Sequence, residues 1–251
     1  MKRILFIGAA VLLPAAALTV SASPSLAAPG KNTCPANPAP GSRVNGGLVV
    51  TGSCLLDGVT VNGGAIVTSS GHLELEDSSI IHGGVTVQGG GELDLGHAMN
   101  SSTPTFTPNT IDGGLTDLGG FDLDLNNATI HGAVDIESLA QAPTICKSSF
   151  DGSVTINNVV ATLGALEPGL VGDPGEPAIS LSGQDCPANT FHGSLFVSNS
   201  TNIEIEGNTI NGSVFISNST IGFSGNKITG STHCQNVVTA VDSDDAPSQC
   251  P

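Results

Sequence analysis

A short repeat of apolar and polar positions runs through the chain after residue 40. Its seven positions read apolar, polar, Gly, small, apolar, any, apolar, as in residues 210–216. Successive copies start 17, 20, 30, 19, 20, 41, 19 and 18 residues apart, so the basic period is close to 19 residues with two excursions. A fixed period in this range indicates a solenoid. The nine copies start at Val44, Val61, Ile81, Ile111, Ile130, Phe150, Phe191, Ile210 and Ile228.

Within each period the apolar residues alternate with the two-residue spacing of β-strands. In Val85-Thr86-Val87 the valines are expected to point inward, and a second alternating segment such as Leu123-Asp124-Leu125 precedes most copies. The 33 glycines disfavour helices. The sequence therefore predicts an all-β fold, a single-stranded parallel β-helix of about nine to ten short rungs stacked about 4.8 Å apart. We expect it to be right-handed, because parallel crossovers usually are.

The two ends of the chain and its two excursions from the repeat indicate the domain organisation. Residues 1–28 read as a signal peptide, with Lys2 and Arg3 before an apolar run and a small-residue segment ending at Ala28. No later run of about 18 apolar residues predicts a membrane span. Residues 29–251 form the predicted β-helix domain, with loop excursions near 96–109 and 159–178 and a C-terminal tail at 232–251. The second excursion is either a loop or a degenerate rung plus a loop.

All six cysteines lie in the predicted mature part, and an even count in an exported chain indicates disulfides. Cys34 and Cys54 are 20 residues apart, one rung, whereas Cys146 and Cys186 precede their repeats by nearly the same interval. Neighbouring rungs bring such positions within disulfide range. We predict the pairs Cys34–Cys54, Cys146–Cys186 and Cys234–Cys250, the first and last of which would close the two ends.

Charge restricts the partners. Cleavage would remove two of the six cationic residues and none of the 22 acidic ones, which leaves a net charge of −18. Such a surface repels nucleic acid and anionic lipid. The sequence therefore predicts no nucleic-acid partner.

Three segments carry a family resemblance: residues 55–64 (Leu-Leu-Asp-Gly-Val-Thr-Val-Asn-Gly-Gly), 206–213 (Glu-Gly-Asn-Thr-Ile-Asn-Gly-Ser) and 225–231 (Gly-Asn-Lys-Ile-Thr-Gly-Ser). With the cysteine-bearing tail they resemble exported right-handed β-helix repeat proteins of high-GC Gram-positive bacteria. That resemblance implies the fold and export but no activity and no catalytic residues. The short rungs are also similar to bactofilins, which polymerise end to end but are cytoplasmic and lack such a leader and cysteines.

The second repeat position forms a polar column with alternating His and Asp in its middle. A metal-binding strip or proton relay is one interpretation. The other is structural: each residue precedes Gly at a corner, and Asn, Asp and His tolerate left-handed backbone angles best. We favour the structural interpretation. The column comprises Asn45, Asn62, His82, Asp112, His131, Asp151, His192, Asn211 and Thr229.

Carboxylates recur along the second strand of the rung and are expected to face outward. Stacked like charges repel, which a bound calcium ion could offset because calcium prefers clustered carboxylate oxygens. Simple solvation of the carboxylates is the favoured alternative. The candidate metal-binding residues are Glu74, Glu76, Glu92, Asp94, Asp122, Asp124, Glu204 and Glu206.

Phe196 and Phe215 hold equivalent outward positions one rung apart. Exposed, the two rings could form a sugar platform or a partner contact. We expect instead that a neighbouring loop covers them.

These features favour a non-catalytic exported protein. Trp and Tyr are missing, and no nucleophile, base and orienting group are spaced as a catalytic set. We expect an extracellular or cell-wall-associated structural or binding protein with an unknown ligand and no cofactor unless calcium. A polysaccharide lyase or hydrolase is the alternative. We expect a monomer, with end-to-end assembly as the other possibility.

Overall fold

The chain folds into a parallel β-solenoid of nine turns. A computed structural model describes residues 32–34, 36–96, 107–141, 143–160, 169–171, 173–178, 184–239 and 248–250, and within them all regular structure is β. Each turn adds one strand to each of three columns, named here sheets 1, 2 and 3. No helix among these residues could cross a membrane. The all-β solenoid that the repeat predicts is confirmed.

Sheet 3 contains the start of every repeat. Its strands are Arg43–Val44, Thr60–Val61, Ile80–Ile81, Asn109–Ile111, Ala128–Ile130, Ser149–Phe150, Thr190–Phe191, Thr209–Ile210 and Lys227–Ile228. Sheet 1 follows in each turn, with strands Asn32–Cys34, Leu48–Val50, Ala65–Val67, Val85–Gln88, Leu115–Leu118, Val134–Glu137, Val154–Asn157 and Leu195–Ser198. Sheet 2 completes the turn, with strands Ser53–Asp57, His72–Glu76, Glu92–Leu95, Asp122–Asn126, Thr144–Cys146, Gly169–Val171 and Thr201–Glu206. Val214–Ser224 and Thr232–Thr239 run across sheets 1 and 2.

Parallel pairing keeps the repeats in register over the whole solenoid. The first residues of all nine repeats pair rung to rung, from Val44 with Val61 to Ile210 with Ile228. The pairing crosses the long excursion: Phe150 pairs with Phe191, and their buried rings stack with centroids 5.1 Å apart. The inward residues form one apolar core because a rung cannot bury its apolar face alone.

A ladder of buried amides lines the corner between sheets 2 and 3. Asn226 Oδ1 accepts a hydrogen bond from the backbone N–H of Asn208 at 3.0 Å, and Asn208 Oδ1 accepts one from that of Asn189 at 2.9 Å. Gln249 Oε1 ends the series on the N–H of Asn226 at 2.9 Å. Gly207, at φ 65°, supplies the left-handed turn before Asn208. Buried amides need such partners, so this ladder explains the Gly-Asn pairs in the sequence.

The glycine at the third repeat position is required by close backbone packing. A Cβ on Gly152 would lie 2.4 Å from the carbonyl oxygen of Gly132, and one on Gly193 would lie 2.4 Å from that of Gly152. Neither glycine has a positive φ. The corner between sheets 3 and 1 therefore stacks backbone directly on backbone, which leaves no room for a side chain.

The second excursion contains a rung strand and a hairpin. Gly169–Val171 pairs with Thr144–Cys146 on one side and with Thr201–Glu206 on the other. Asp173–Ala178 then pairs antiparallel with Gln184–Cys186. Of the two alternatives left open by the sequence, this is the degenerate rung plus an excursion. Most of the first excursion, 97–106, lies outside the described residues, as does the predicted signal peptide.

The predicted tail at 232–251 begins inside the solenoid, which corrects its boundary. Thr232–Thr239 is the last strand and pairs with Val214–Ser224. Beyond it, the described residues 248–250 contact the last turn, where the Gln249 N–H donates to the carbonyl of Phe223 at 2.9 Å. The last period of the sequence is degenerate, so its strand is hard to recognise from the repeat.

The three predicted disulfides are confirmed. Cys34–Cys54 and Cys234–Cys250 lie at the two ends, with Cα separations of 5.6 and 5.7 Å, and Cys146–Cys186 spans the long excursion with a separation of 5.0 Å. Both end pairs tie a terminal strand to a neighbouring segment. They hold the rungs that have a partner on one side only.

Alanine in place of Gly152 should destabilise the solenoid strongly. The new Cβ would force two rungs apart, and overpacking of this kind costs about 3 kcal/mol in unfolding free energy. Gly89 is the matched control, because its Cβ would meet the carbonyl of Leu118 at an ordinary 3.5 Å. Chemical denaturation of both variants measures the difference. Equal stabilities of Gly152→Ala and Gly89→Ala would contradict the backbone stacking.

Candidate functional site

Carboxylates from three consecutive rungs meet on the outer face of sheet 2. Glu74, Asp94 and Asp124 pair in register, and Glu92 pairs with Asp122 beside them. We call these five residues and His72 the acidic patch. Strand register places them one rung apart, which is the separation that makes like charges repel across a sheet.

His72 is the one basic side chain of this patch, and the sequence reasoning missed it. Its Nε2 lies 2.8 Å from Asp94 Oδ2 and its Nδ1 lies 3.8 Å from Glu92 Oε2. The signal was present in the alternation, because His72 stands two residues before Glu74 on the same strand face. The first rung of the patch thus offers one basic group to carboxylates of the second rung.

The third rung of the patch carries acids that bind protons more tightly than usual, although His72 opposes the rise of the pKa at Asp122. Burial, together with the carboxylates of Asp122 and Asp94, raises the pKa of Asp124 to about 7, against a lowering hydrogen bond from Thr144. Burial and the neighbouring Asp94 also raise the pKa of Asp122. A carboxyl that stays partly protonated near neutral pH can exchange its proton for a cation or donate it.

The remaining predicted candidates do not join the patch as expected. Glu76 pairs with Asp57 in the adjacent column. Glu204 is separated from Asp124 by Thr144 and Leu170. The expectation that Glu206 faces outward is wrong, because only 7% of it is exposed. The strand continues past its regular alternation at the corner, where Ile205 and Glu206 are both buried.

The second-position column is a continuous polar ladder on the surface. His82 Nδ1 lies 2.5 Å from Asp112 Oδ2, and His131 Nδ1 lies 2.6 Å from Asp151 Oδ2. The second carboxylate oxygens reach the next histidines at 3.9 and 4.0 Å, from Asp112 to His131 and from Asp151 to His192. Asparagines flank this His-Asp ladder, as in the 2.7 Å bond from Asn62 to Asn45. Because acid and base alternate along the column, neighbouring rungs attract each other through His–Asp contacts.

The backbone explanation for this column is wrong. Within the described residues, none of its members has a positive φ. Left-handed residues other than glycine fall at the other two corners instead, for example Asn199 at 51° and Asn218 at 49° between sheets 1 and 2. The residues before Gly are therefore determined by side-chain contacts with the same position in neighbouring rungs. The Gly itself is determined by close backbone contact.

The phenylalanine pair belongs to a three-ring stack. Phe196 and Phe215 stack with centroids 5.0 Å apart and planes 5° apart, and His233 continues the stack 4.9 Å beyond Phe215. Phe215 is 39% exposed, so the expectation that a loop covers it is wrong. Because the rings cover one another's faces, Phe215 presents only its edge to solvent, which is unsuited to stacking against a sugar.

Asp117 is a buried acid that the sequence reasoning did not single out. It is fully buried in the inward column of sheet 1, between Val87 and Ile136. Its Oδ1 accepts the N–H of Gly120 at 2.6 Å, and Oδ2 has no partner among the described residues. Burial raises its pKa to about 6 against this hydrogen bond. The signal was an Asp where every other repeat has an apolar residue.

The described residues contain no group of three or more His, Cys, Asp or Glu side chains arranged to hold a metal ion. Comparison of the chain with protein-family models, curated proteins and solved structures finds no match. The resemblance to exported β-helix repeat proteins therefore stays a prediction, and function must be argued from the residues.

Asp117→Asn should change how stability depends on pH. Because the pKa of Asp117 is raised in the folded state, that state binds more protons between the ordinary value of 3.8 and about 6, so the free energy of unfolding falls as pH rises through this window. Asparagine removes this loss. The stability of the variant relative to wild type should rise by about 3 kcal/mol from pH 4 to pH 8. Urea unfolding across that range measures it, and parallel curves would contradict it.

Proposed function

We propose that this chain is an exported, non-catalytic β-solenoid that serves as a structural or binding protein of the cell envelope or extracellular space. Pairing of all six cysteines carries the proposal, since such bonds persist in oxidising compartments outside the cytoplasm. The leader-like residues 1–28 agree with export. The disulfides secure the terminal rungs, which suits a scaffold exposed to conditions outside the cell.

The surface chemistry supports a scaffold rather than a reaction centre. In the His-Asp ladder the strongest candidate acid-base groups are engaged with one another along the rod, as in the 2.6 Å contact of His131 with Asp151. The phenylalanine rings are likewise stacked on each other. Side chains arranged in this way stabilise neighbouring rungs.

Export predicts a defined covalent form of the mature protein. Expressed in its native host, the protein should appear in the medium or wall fraction, cleaved after Ala27 or Ala28. Its intact mass should be about 6 Da below that of the reduced chain, because three disulfides remove six hydrogens. Recovery of a full-length cytoplasmic chain with reactive thiols would contradict the proposal.

The acidic patch supports a second candidate function, divalent-cation binding. Burial and neighbouring carboxylates raise the pKa values of Asp122 and Asp124 and so disfavour their charged forms, which a cation bridging Asp94 and Asp124 would stabilise. Oxygen-rich, carboxylate-dominated sites favour calcium over softer metals. Side chains of the patch would have to reorient around the ion.

Calcium titration tests this second candidate. If the patch binds calcium, the melting temperature should rise by about 5 to 10 °C once calcium exceeds its Kd about a hundredfold. The double variant Asp94→Asn/Asp124→Asn should lose the rise, whereas Asp135→Asn on sheet 1 should keep it. No shift of the wild type at millimolar calcium would reject the candidate.

The same double variant separates the scaffold from a polysaccharide-cleaving enzyme. A carboxyl with a pKa near 7 beside other carboxylates is the arrangement that glycosidases use for acid catalysis. The proposed function predicts no release of reducing ends or unsaturated products from acidic or neutral polysaccharides. Release by the wild type that Asp94→Asn/Asp124→Asn abolishes would replace the proposal with the enzymatic alternative.

A further inference from the structure

The C-terminal end of the solenoid presents an eight-residue strand edge. Thr232–Thr239 pairs with Val214–Ser224 on one side, and among the described residues no strand pairs with its other side. Its side chains are largely exposed, and Val238 at 62% is the most exposed large apolar residue in the described chain. Unpaired backbone groups along such an edge can accept another strand.

The strand itself carries none of the residues that usually prevent strand addition. Its sequence, Thr-His-Cys-Gln-Asn-Val-Val-Thr, contains no Lys, Arg, Asp, Glu or Pro. The lateral faces, in contrast, carry the acidic patch and the Asp135–Glu137 pair. Because the strand carries no charged residue of its own, pairing two copies along it would bring no like charges into direct opposition across the new ladder.

The inward and outward positions of this strand read the same in both directions. Register with buried Val214 and Ile216 makes Thr232 and Cys234 inward, and Val237 also packs on the core. His233, which pairs with Phe215, and Val238, which pairs with Thr220, are outward. From His233 to Val238 the pattern is thus symmetric about the midpoint between Gln235 and Asn236.

This symmetry specifies an antiparallel register with a second copy. His233 would lie opposite the partner's Val238, and Cys234 opposite the partner's Val237, so outward residues meet outward residues and inward residues meet inward ones. A shift of one residue would break the match. The corner at Asn236, where φ is 53°, would stay at the centre, so sheet 1 of one copy would continue into sheet 2 of the other.

The opposite end offers a poorer partner. The first strand, Asn32–Cys34, has three residues and is followed by Pro35, which has no N–H to donate. The next segment covers the first turn, where Gly41 N–H donates to the carbonyl of Asp57 at 2.9 Å and Leu55 N–H donates to Asn37 Oδ1 at 3.1 Å. In a head-to-tail contact, only three residues of the Thr232–Thr239 edge could pair with the first strand. In a tail-to-tail contact, all eight could pair.

We propose that two copies of this chain associate tail to tail, by antiparallel pairing of their Thr232–Thr239 edges about a two-fold axis. Such an interface is closed, because each edge is used once, and it yields a dimer rather than a fibre. The dimer would double the length of the rod. The stack of Phe196, Phe215 and His233 would end against Val238 of the second copy.

Concentration-dependent hydrogen exchange and sedimentation equilibrium test the proposal on the disulfide-bonded protein. With rising concentration the mass should approach twice that of the monomer, more readily at high salt because screening reduces repulsion. Amides of Thr232–Thr239 should become protected, while those of Asn32–Cys34 should not. Protection of both strands would show head-to-tail assembly and overturn the proposal, as would a monomer at every concentration.

Val238→Lys supplies the matched variant. The new ammonium would lie opposite the partner's His233 at the edge, so the association constant should fall at least about tenfold. Val160→Lys is the control, because Val160 is also exposed, at 46%, but lies far from the last rung. It should dimerise like the wild type. Equal association of Val238→Lys and wild type, with both folded by circular dichroism, would overturn the two-fold edge contact.

Discussion

In-register parallel pairing between successive rungs is the constraint on which this structure depends. Every residue of a rung lies beside its equivalent in the next, so each repeat position becomes a column. An unfavourable charge or an oversized side chain at one repeat position is therefore repeated in every rung of the solenoid. The third position shows the effect most clearly, because stacked backbone admits only glycine at Gly132, Gly152 and Gly193.

Polar columns meet this constraint in different ways. The His-Asp ladder alternates acid and base, so each added rung brings a favourable contact. The buried asparagines satisfy one another's backbone donors. The acidic patch, in contrast, stacks carboxylate on carboxylate, and burial together with these neighbouring carboxylates raises the pKa of Asp124 to about 7. A column that repels itself needs a proton, a cation or a partner, which is why the patch is the candidate for cation binding.

The sequence predicted the architecture because columns depend on period, and period is visible in one chain. It identified all nine repeat starts and all three disulfides, since register alone decides which positions meet. The sequence prediction failed at positions where the residue type is set by local contacts and not by the repeat period. The polar residues before glycine suggested left-handed backbone, but Asn199 and Asn218 have that role at another corner. The prediction did not single out Asp117, although that position is apolar in every other repeat, and it placed Glu206 outward because alternation alone does not show burial at a corner.

The register across the 41-residue interval is the central claim, since the columns on either side are continuous only if Phe150 meets Phe191. A double-mutant cycle with Phe150→Leu and Phe191→Leu measures their coupling directly. The stacked rings, 5.1 Å apart, predict a coupling of about 0.5 to 1.5 kcal/mol in unfolding free energy. Additivity within about 0.3 kcal/mol would show that the rings do not touch and would contradict the continuous solenoid.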